Sequence, residues 1–319
     1  HRVDWAGIGL LTVGLGCLQT MLEEGQSEDW FSSRFIQLVT AGAILGLGLF
    51  VWRELTTRHP AVDLRVLRHK ELAAGSLYSM VLGMGLYGVM FAVPIFVQDF
   101  LHFTAMQSGG LLFPGAIAAA VMMILMGKFA GRFDARKLIA GGALVMFATA
   151  LLLSRINPNT GREDLFWPLL LRGFGGVMMF IPLSLATIGG LPKSEIAAGT
   201  GFYNLTRQLG SSIGIAVITT YLGHREAVHR AFLVERVTPL SPAATDRLEL
   251  LTGLFESRTG DTVQAGQQAL AVIDRTINAQ AMLLAFADVF FYVAAAFIVT
   301  LPLLLLLSRG GRRAPVDVH

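Results

Sequence analysis

Long apolar runs alternate with short polar stretches along the whole chain. A transmembrane helix needs about 20 apolar residues, because a helix rises about 1.5 Å per residue, and eight runs approach or exceed this length. The predicted crossings are residues 5–22, 36–52, 72–97, 109–126, 138–153, 169–190, 198–222 and 279–307. The pattern predicts an all-α integral membrane protein with eight transmembrane helices.

Composition agrees with this pattern. Of 319 residues, 54% are hydrophobic and 15% are charged, whereas a soluble domain has about 25% charged residues. The net charge of +3 does not indicate a nucleic-acid partner, because the basic residues lie in short loops. The chain opens at His1 without a start methionine or signal peptide, and we expect it to be the later portion of a longer protein.

Loop charge predicts the orientation. Most lysines and arginines lie in alternate loops, mainly in residues 53–71 and 127–137 and in the tail 309–319. The short loops on the other side contain only Arg34, Arg155 and Arg162. The positive-inside rule then places the C-terminus in the cytoplasm and the long segment 223–276 outside.

Segment 223–276 contains two helix-start signals. Ser241-Pro242 fits an N-cap followed by proline at the first helical position, and Asp261 fits the N-cap of a helix through residues 263–273. We expect short surface helices here. They either receive a partner protein or remain solvated without one.

The seventh run contains a polar wedge. Asn204, Gln208 and Ser211 recur at helical spacing with Arg207 beside them, so we expect them on one face. This face either lines a cavity or forms a latch, or Arg207 simply caps the end of a neighbouring helix. On the same helix, Gly210-x-x-x-Gly214 predicts close approach of a neighbour.

Two further charges interrupt the apolar runs. Arg172 and Asp288 both fall near the outer boundary of the hydrocarbon, so we expect them to interact. The alternatives are an Arg172 side chain that reaches the interface and an Asp288 exposed to water. Gln98 and Asp99 also lie near the outer face.

Several methionine and phenylalanine residues either form a soft surface that binds varied apolar ligands or serve in ordinary packing. They are Met84, Met90, Phe91, Phe96, Met178, Met179 and Phe180. Signals of catalysis are missing from the sequence, which contains no H-E-x-x-H, G-x-S-x-G or P-loop motif. Its seven histidines are scattered, and we predict no metal site, no cofactor and no enzyme activity.

Several motifs resemble major facilitator drug:proton antiporters of the fourteen-helix branch. The likeness to their penultimate helix is carried by Asn204-Leu205-Thr206-Arg207-Gln208-Leu209-Gly210, and the likeness to the preceding helix by Arg172-Gly173-Phe174-Gly175. Two further motifs resemble the extra helix pair of that branch: Asp4-Trp5-Ala6-Gly7 and Asp29-Trp30-Phe31-Ser32-Ser33. Within the branch, the chain is most similar to the EmrB type, the inner-membrane pump of a tripartite exporter.

This resemblance implies a fold and a function. Residues 1–70 would form the extra helix pair with its basic loop, and residues 71–319 the C-terminal six-helix bundle. The implied activity is export of hydrophobic or amphipathic toxic compounds across the bacterial inner membrane, driven by proton entry. A periplasmic adaptor of the EmrA type and an outer-membrane channel of the TolC type are the implied partners. The N-terminal six-helix half, with the best-known coupling acids of the family, would be missing from this chain.

The loop 127–137 resembles the charged gating loop of the family. Its candidate residues are Gly127, Arg132, Asp134 and Arg136. Gly131-Arg132 stands where the family motif has an acid followed by arginine. Two other functions fit the same sequence: a stand-alone exporter of one metabolite or lipid, and a membrane protein that binds partners without transport.

Overall fold

A computed structural model describes residues 4–57, 64–129, 133–238 and 240–305. Within these ranges all regular structure is helical, which confirms the all-α prediction. The helices are α1 (Trp5–Glu24), α2 (Arg34–Thr56), α3 (Lys70–Ile95), α4 (Ala105–Phe129), α5 (Ala135–Leu153), α6 (Arg162–Ile188), α7 (Ile196–Val234), α8 (Pro242–Thr259) and α9 (Thr262–Leu303). A π-helical turn, Phe96–Phe100, extends α3. The basic tail 309–319 lies outside the described residues.

Seven of the described helices are long and apolar enough to cross a membrane: α1 to α6 and α9. The remaining predicted crossing lies in α7, which has 39 residues and therefore sufficient length. Its polar residues, including Asn204, Arg207 and Gln208, lower its mean hydropathy. Large apolar side chains face outward, such as Leu38 and Ile44 on α2, which are 73% and 67% exposed. This surface fits a multi-pass membrane protein.

The helices form a hairpin and a bundle. Helices α1 and α2 pack against each other, and α1 also contacts α7. In the bundle, α3 packs on α7, α6 packs on α4 and α5, and α9 packs on α5 and α7. The core between α3, α5, α6 and α9 includes Phe96, whose ring makes an edge contact with Phe286 at 5.4 Å.

Asp4 holds the start of the hairpin. Its Oδ1 accepts the N–H of Gly7 at 3.1 Å, which confirms the predicted N-cap of α1. It also accepts hydrogen bonds from Arg53 near the end of α2, with Nη2 2.8 Å from Oδ1. The Arg53 guanidinium holds the pKa of the Asp4 carboxyl below its usual value. The long-range pair joins the two ends of the hairpin and was not predicted.

The prediction of short surface helices in residues 223–276 is incomplete in one respect. Helix α7 continues to Val234, and α9 begins at Thr262, so both crossing helices project beyond their apolar runs. The predicted helix starts are confirmed: α8 begins at Pro242, and Asp261 accepts the N–H of Val263 at 2.8 Å. Helix α8 packs on the projecting part of α9.

An ionic clamp lies where α3 and α7 begin. Glu195, just before α7, accepts a hydrogen bond from Arg68, and its Oε2 lies 2.7 Å from Nε2 of His69. The hydrogen bond to His69, assisted by the charge of Arg68, lowers the pKa of Glu195. The clamp ties the segment after the hairpin to the turn between α6 and α7.

Because this pKa is lowered, the clamp stabilises the fold above the ordinary Glu pKa of 4.5 and is lost as the pH falls through the lowered value. We expect Glu195→Gln to melt at a lower temperature than wild type at pH 7, with the difference vanishing in acid. Melting of the detergent-solubilised protein between pH 3 and pH 8 tests this. A difference that is independent of pH would contradict an ionic role for Glu195.

Candidate functional site

Arg207 on α7 is the centre of a polar site between three helices. Its Nη2 donates to Oδ1 of Asn204 at 3.2 Å, and its Nη1 donates to the hydroxyl of Tyr87 on α3 at 3.4 Å. The guanidinium carbon lies 4.7 Å from the ring centroid of Phe180 on α6, a cation–π geometry. Its Nε is buried and has no hydrogen-bond partner. All the partners found for this cation among the described residues are neutral.

Small residues bring the backbones of α3 and α7 close enough to form this site. A Cβ atom on Gly83 would lie 2.7 Å from the carbonyl oxygen of Arg207, and one on Gly214 would lie 2.5 Å from Cα of Met84. A Cβ on Gly210 would overlap the backbone of Met80. The predicted close approach at Gly210-x-x-x-Gly214 is therefore confirmed.

The residues of the predicted wedge follow one side of α7, but their side chains have different surroundings. Asn204 and Arg207 pair with each other, but Gln208 lines a small cavity between α7 and α1, together with Leu15 and Gln19. Ser211 is buried, and its hydroxyl donates to the backbone carbonyl of Gln208 at 2.7 Å. A polar hydroxyl satisfied inside its own helix needs no polar neighbour, which is why the pattern overstated the width of the wedge.

Arg172 and Asp288 are not partners, which corrects the predicted pair. The carboxylate of Asp288 instead contacts two residues on the projecting part of α7: Nε of Arg225 lies 2.6 Å away and Nε2 of His229 lies 2.7 Å away. This cluster joins α7 to α9. Sequence reasoning missed Arg225 and His229 because it ended α7 at residue 222, although their i, i+4 spacing was a visible helical signal.

Arg172 lies half-buried on α6, and its Nε is enclosed without a hydrogen-bond partner. A Cβ on Gly115 of α4 would lie 4.0 Å from its Nη2. Within the described residues no carboxylate pairs with Arg172. It is thus a second cation, besides Arg207, whose charge is not balanced in this part of the chain.

A double-mutant cycle distinguishes the observed pair from the predicted one. Arg225→Gln and Asp288→Asn are expected to show a coupling free energy of about 1 kcal/mol, because the two groups share one partly exposed ion pair. Arg172→Gln and Asp288→Asn should be additive. Thermal unfolding of the three single and two double variants measures both couplings, and coupling between Arg172 and Asp288 would contradict the structure.

The other candidates are dispersed. Gln98 is exposed in the π-helical turn, and Phe91 is half-buried on α3. Met179 is fully buried in the core against Gly142 of α5, so the structure removes it from the accessible surface on which it was predicted.

In the gating loop, Oδ1 of Asp134 accepts the N–H of Arg136 at 3.0 Å and caps α5. Gly127 lies in the last turn of α4. Arg132 lies outside the described residues. The part of the loop that is described therefore serves as a helix start.

Comparison with known proteins gives one family. The model of the Major Facilitator Superfamily matches residues 5–215. The chain is 31% identical over 305 residues to the Multidrug export protein EmrB of Escherichia coli (strain K12), covering 95% of this chain and 58% of that protein. It is 28% identical to the Colistin resistance protein EmrB of Acinetobacter baumannii, covering 97% and 60%, and 28% identical to the Fatty acid resistance protein FarB of Neisseria gonorrhoeae, covering 94% and 58%.

The chain thus spans about three fifths of the length of these relatives. The matched range extends from α1 through most of the apolar part of α7 and includes Arg172, Tyr87, Phe180 and Arg207. The likeness noted from the sequence motifs is confirmed, and with it the interpretation of the helices as parts of a transporter fold: the chain belongs to the Major Facilitator Superfamily.

Proposed function

We propose that this chain is part of a proton-driven exporter of hydrophobic or amphipathic toxic compounds. The observation that carries the proposal is the Arg207 site, a cation within the predicted seventh crossing that is held only by neutral groups in the described chain. Family membership supports transport rather than catalysis. The names of similar proteins, which refer to multidrug export and to resistance to colistin and fatty acids, support the class of cargo.

The charge of Arg207 suggests how protons enter the mechanism. A cation in a low-dielectric site favours a nearby carboxylate, and neutralising that carboxylate with a proton removes the attraction. We propose that an acidic residue in the remainder of the protein faces Arg207 and alternates between paired and protonated states. Opening and closing of the two halves around a midplane site would follow this alternation.

The surface next to Arg207 suits apolar cargo. Met90 on α3 is 51% exposed, and Phe91 and Tyr87 lie within one turn of it. Phe180 supplies an aromatic ring beside the guanidinium. Flexible methionine and aromatic side chains accommodate ligands of varied shape, which supports a broad substrate range.

We further propose an adaptor of the EmrA type and a channel of the TolC type as partners. The projecting ends of α7 and α9, with α8, form the candidate docking surface, where Phe232, Leu250 and Leu254 are each at least half exposed. In this proposal the protein lies in the bacterial inner membrane, residues 223–276 are periplasmic, and the C-terminus is cytoplasmic.

The test uses the full-length protein in inverted membrane vesicles. An imposed proton gradient should drive accumulation of a fluorescent apolar cation, and a protonophore should abolish it. Accumulation that is unchanged by the protonophore would contradict proton coupling. Measuring drug resistance in cells with and without the adaptor separates the tripartite exporter from a stand-alone one.

A further inference from the structure

A second apolar site lies away from Arg207. A groove of about 340 Å³ runs between α3, α7 and α9. Its walls include Val81, Met84, Val217, Val289 and Ala296. Apart from two tyrosines at one end, its lining residues carry no polar side-chain group.

The groove and the Arg207 site have different residues. Gly85 lines the groove, whereas Tyr87 contacts Arg207, and none of the residues that line the groove is a partner of Arg207. At the mouth of the groove, Val217 is 54% exposed and Tyr292 is 55% exposed. The groove therefore opens on an outer apolar face of the bundle.

A polar end completes the groove. The rings of Tyr221 and Tyr292 make an edge contact at 5.1 Å. Arg225 follows one turn after Tyr221 on α7. Its Nε and Nη2 are used by Asp288 and His229, while its Nη1 has no partner among the described residues. The site thus changes from apolar walls, through aromatic rings, to a guanidinium that pairs with Asp288 and keeps two N–H donors on Nη1.

This order of groups matches an anionic lipid. An apolar cavity does not take up water, and an empty one forfeits the contacts of its walls. Within the bilayer the abundant apolar ligand is a lipid chain. Arginine pairs strongly with phosphate through charge-assisted hydrogen bonds.

We propose that this groove binds a membrane phospholipid with an anionic head group, one acyl chain lying between α3, α7 and α9 and the phosphate lying at Arg225. The lipid fills the space between α7 and α9 and fixes their spacing. The site does not depend on the transport mechanism proposed above, since it shares no residue with the Arg207 site.

The test is photo-crosslinking of the full-length protein in lipid nanodiscs. The probe is phosphatidylglycerol with a diazirine in one acyl chain, and labelled peptides are mapped by mass spectrometry. We expect labelling of the α7 and α9 peptides that line the groove to exceed labelling of the exposed α4 face around Ile117. Ala296→Phe, which fills the groove, should lower that labelling about tenfold, the effect of losing roughly two buried methylene groups.

Two controls make the result specific. Ala295→Phe adds the same side chain at the neighbouring exposed position outside the groove lining and should leave labelling unchanged. In wild type, unlabelled phosphatidylglycerol should compete about fivefold better than phosphatidylethanolamine, because the ammonium group of phosphatidylethanolamine cancels the net charge of its head group, and Arg225→Gln should remove this preference.

Three results would overturn the proposal. One is labelling of the groove no greater than on the α4 face. Another is an equal loss in Ala296→Phe and Ala295→Phe. The third is competition by an exported compound but not by phosphatidylglycerol, which would make the groove a cargo site instead of a lipid site.

Discussion

Replacing Gly210 with alanine is expected to lower the melting temperature of the protein by several degrees. A Cβ at this position would overlap three backbone atoms of Met80 on α3, and backbone atoms cannot move aside as a side-chain tip can. Overpacking of this kind costs about 3 kcal/mol at the upper end of the usual range, so α3 and α7 must separate. Separation of the two helices should also weaken the hydrogen bond between Arg207 and Tyr87, because Arg207 lies one turn before Gly210 and this bond crosses the same interface.

Gly201 provides a matched control on the same helix. A Cβ there would meet nothing within 4 Å, so Gly201→Ala should be neutral or should stabilise α7 by up to about 1 kcal/mol. Thermal unfolding of both variants of the full-length protein, followed by tryptophan fluorescence in detergent, measures the difference. Equal melting temperatures would contradict the close approach of α3 and α7.

Replacing Arg207 with glutamine is expected to reduce proton-driven transport about thirtyfold. Loss of a desolvated, hydrogen-bonded charge costs about 2 kcal/mol. If the barrier of the transport cycle rises by this amount, the rate falls about thirtyfold. Arg207→Lys keeps the charge but not the forked geometry that reaches both Asn204 and Tyr87, so we expect an intermediate rate.

Gln208→Ala is the matched control for this experiment. Gln208 is the next residue on α7, but it is exposed and lies against α1. We expect the Gln208→Ala variant to transport substrate at close to the wild-type rate in the same vesicles. Comparable loss in Gln208→Ala and Arg207→Gln would mean that the polar wedge acts as a whole and that Arg207 has no special role.

The crossing helices could be predicted from the sequence because the bilayer imposes a length and a composition on them. Six of the eight predicted runs fall entirely within helices of the structure, while the sixth run extends two residues beyond Ile188 at the end of α6 and the eighth extends beyond Leu303 at the end of α9. What hydropathy does not record is where a helix ends once it has left the membrane. Helix α7 therefore continues to Val234, although its apolar run ends near Leu222.

The partners of the charged residues could be predicted less well. Asp288 contacts Arg225 and His229 on α7. Choosing Arg225 as its partner in place of Arg172 on α6 requires the helices to be placed in three dimensions. The pair of Asp4 with Arg53 depends in the same way on the tight packing of α1 and α2. Spacing along the chain identifies which residues are unusual, but packing decides what each of them contacts.

The Arg207 site contains some residues that the sequence identified and others that it did not. Its arginine and asparagine were identified from their polarity within an apolar run, and they lie together. Tyr87 and Phe180 were not expected as partners, since nothing in their local sequence distinguishes them from other aromatic residues of α3 and α6. Their contact with Arg207 can be recognised only from the packing of α3, α6 and α7 against one another.

Substrate-driven proton movement is the most direct test of the role proposed for Arg207. The full-length protein would be reconstituted into liposomes containing a pH-sensitive dye, and an apolar cationic substrate would be added to one side. The account predicts proton movement that depends on substrate in wild type and is lost in Arg207→Gln, while Gln208→Ala retains it. Equal substrate-driven proton movement in wild type and Arg207→Gln would contradict it.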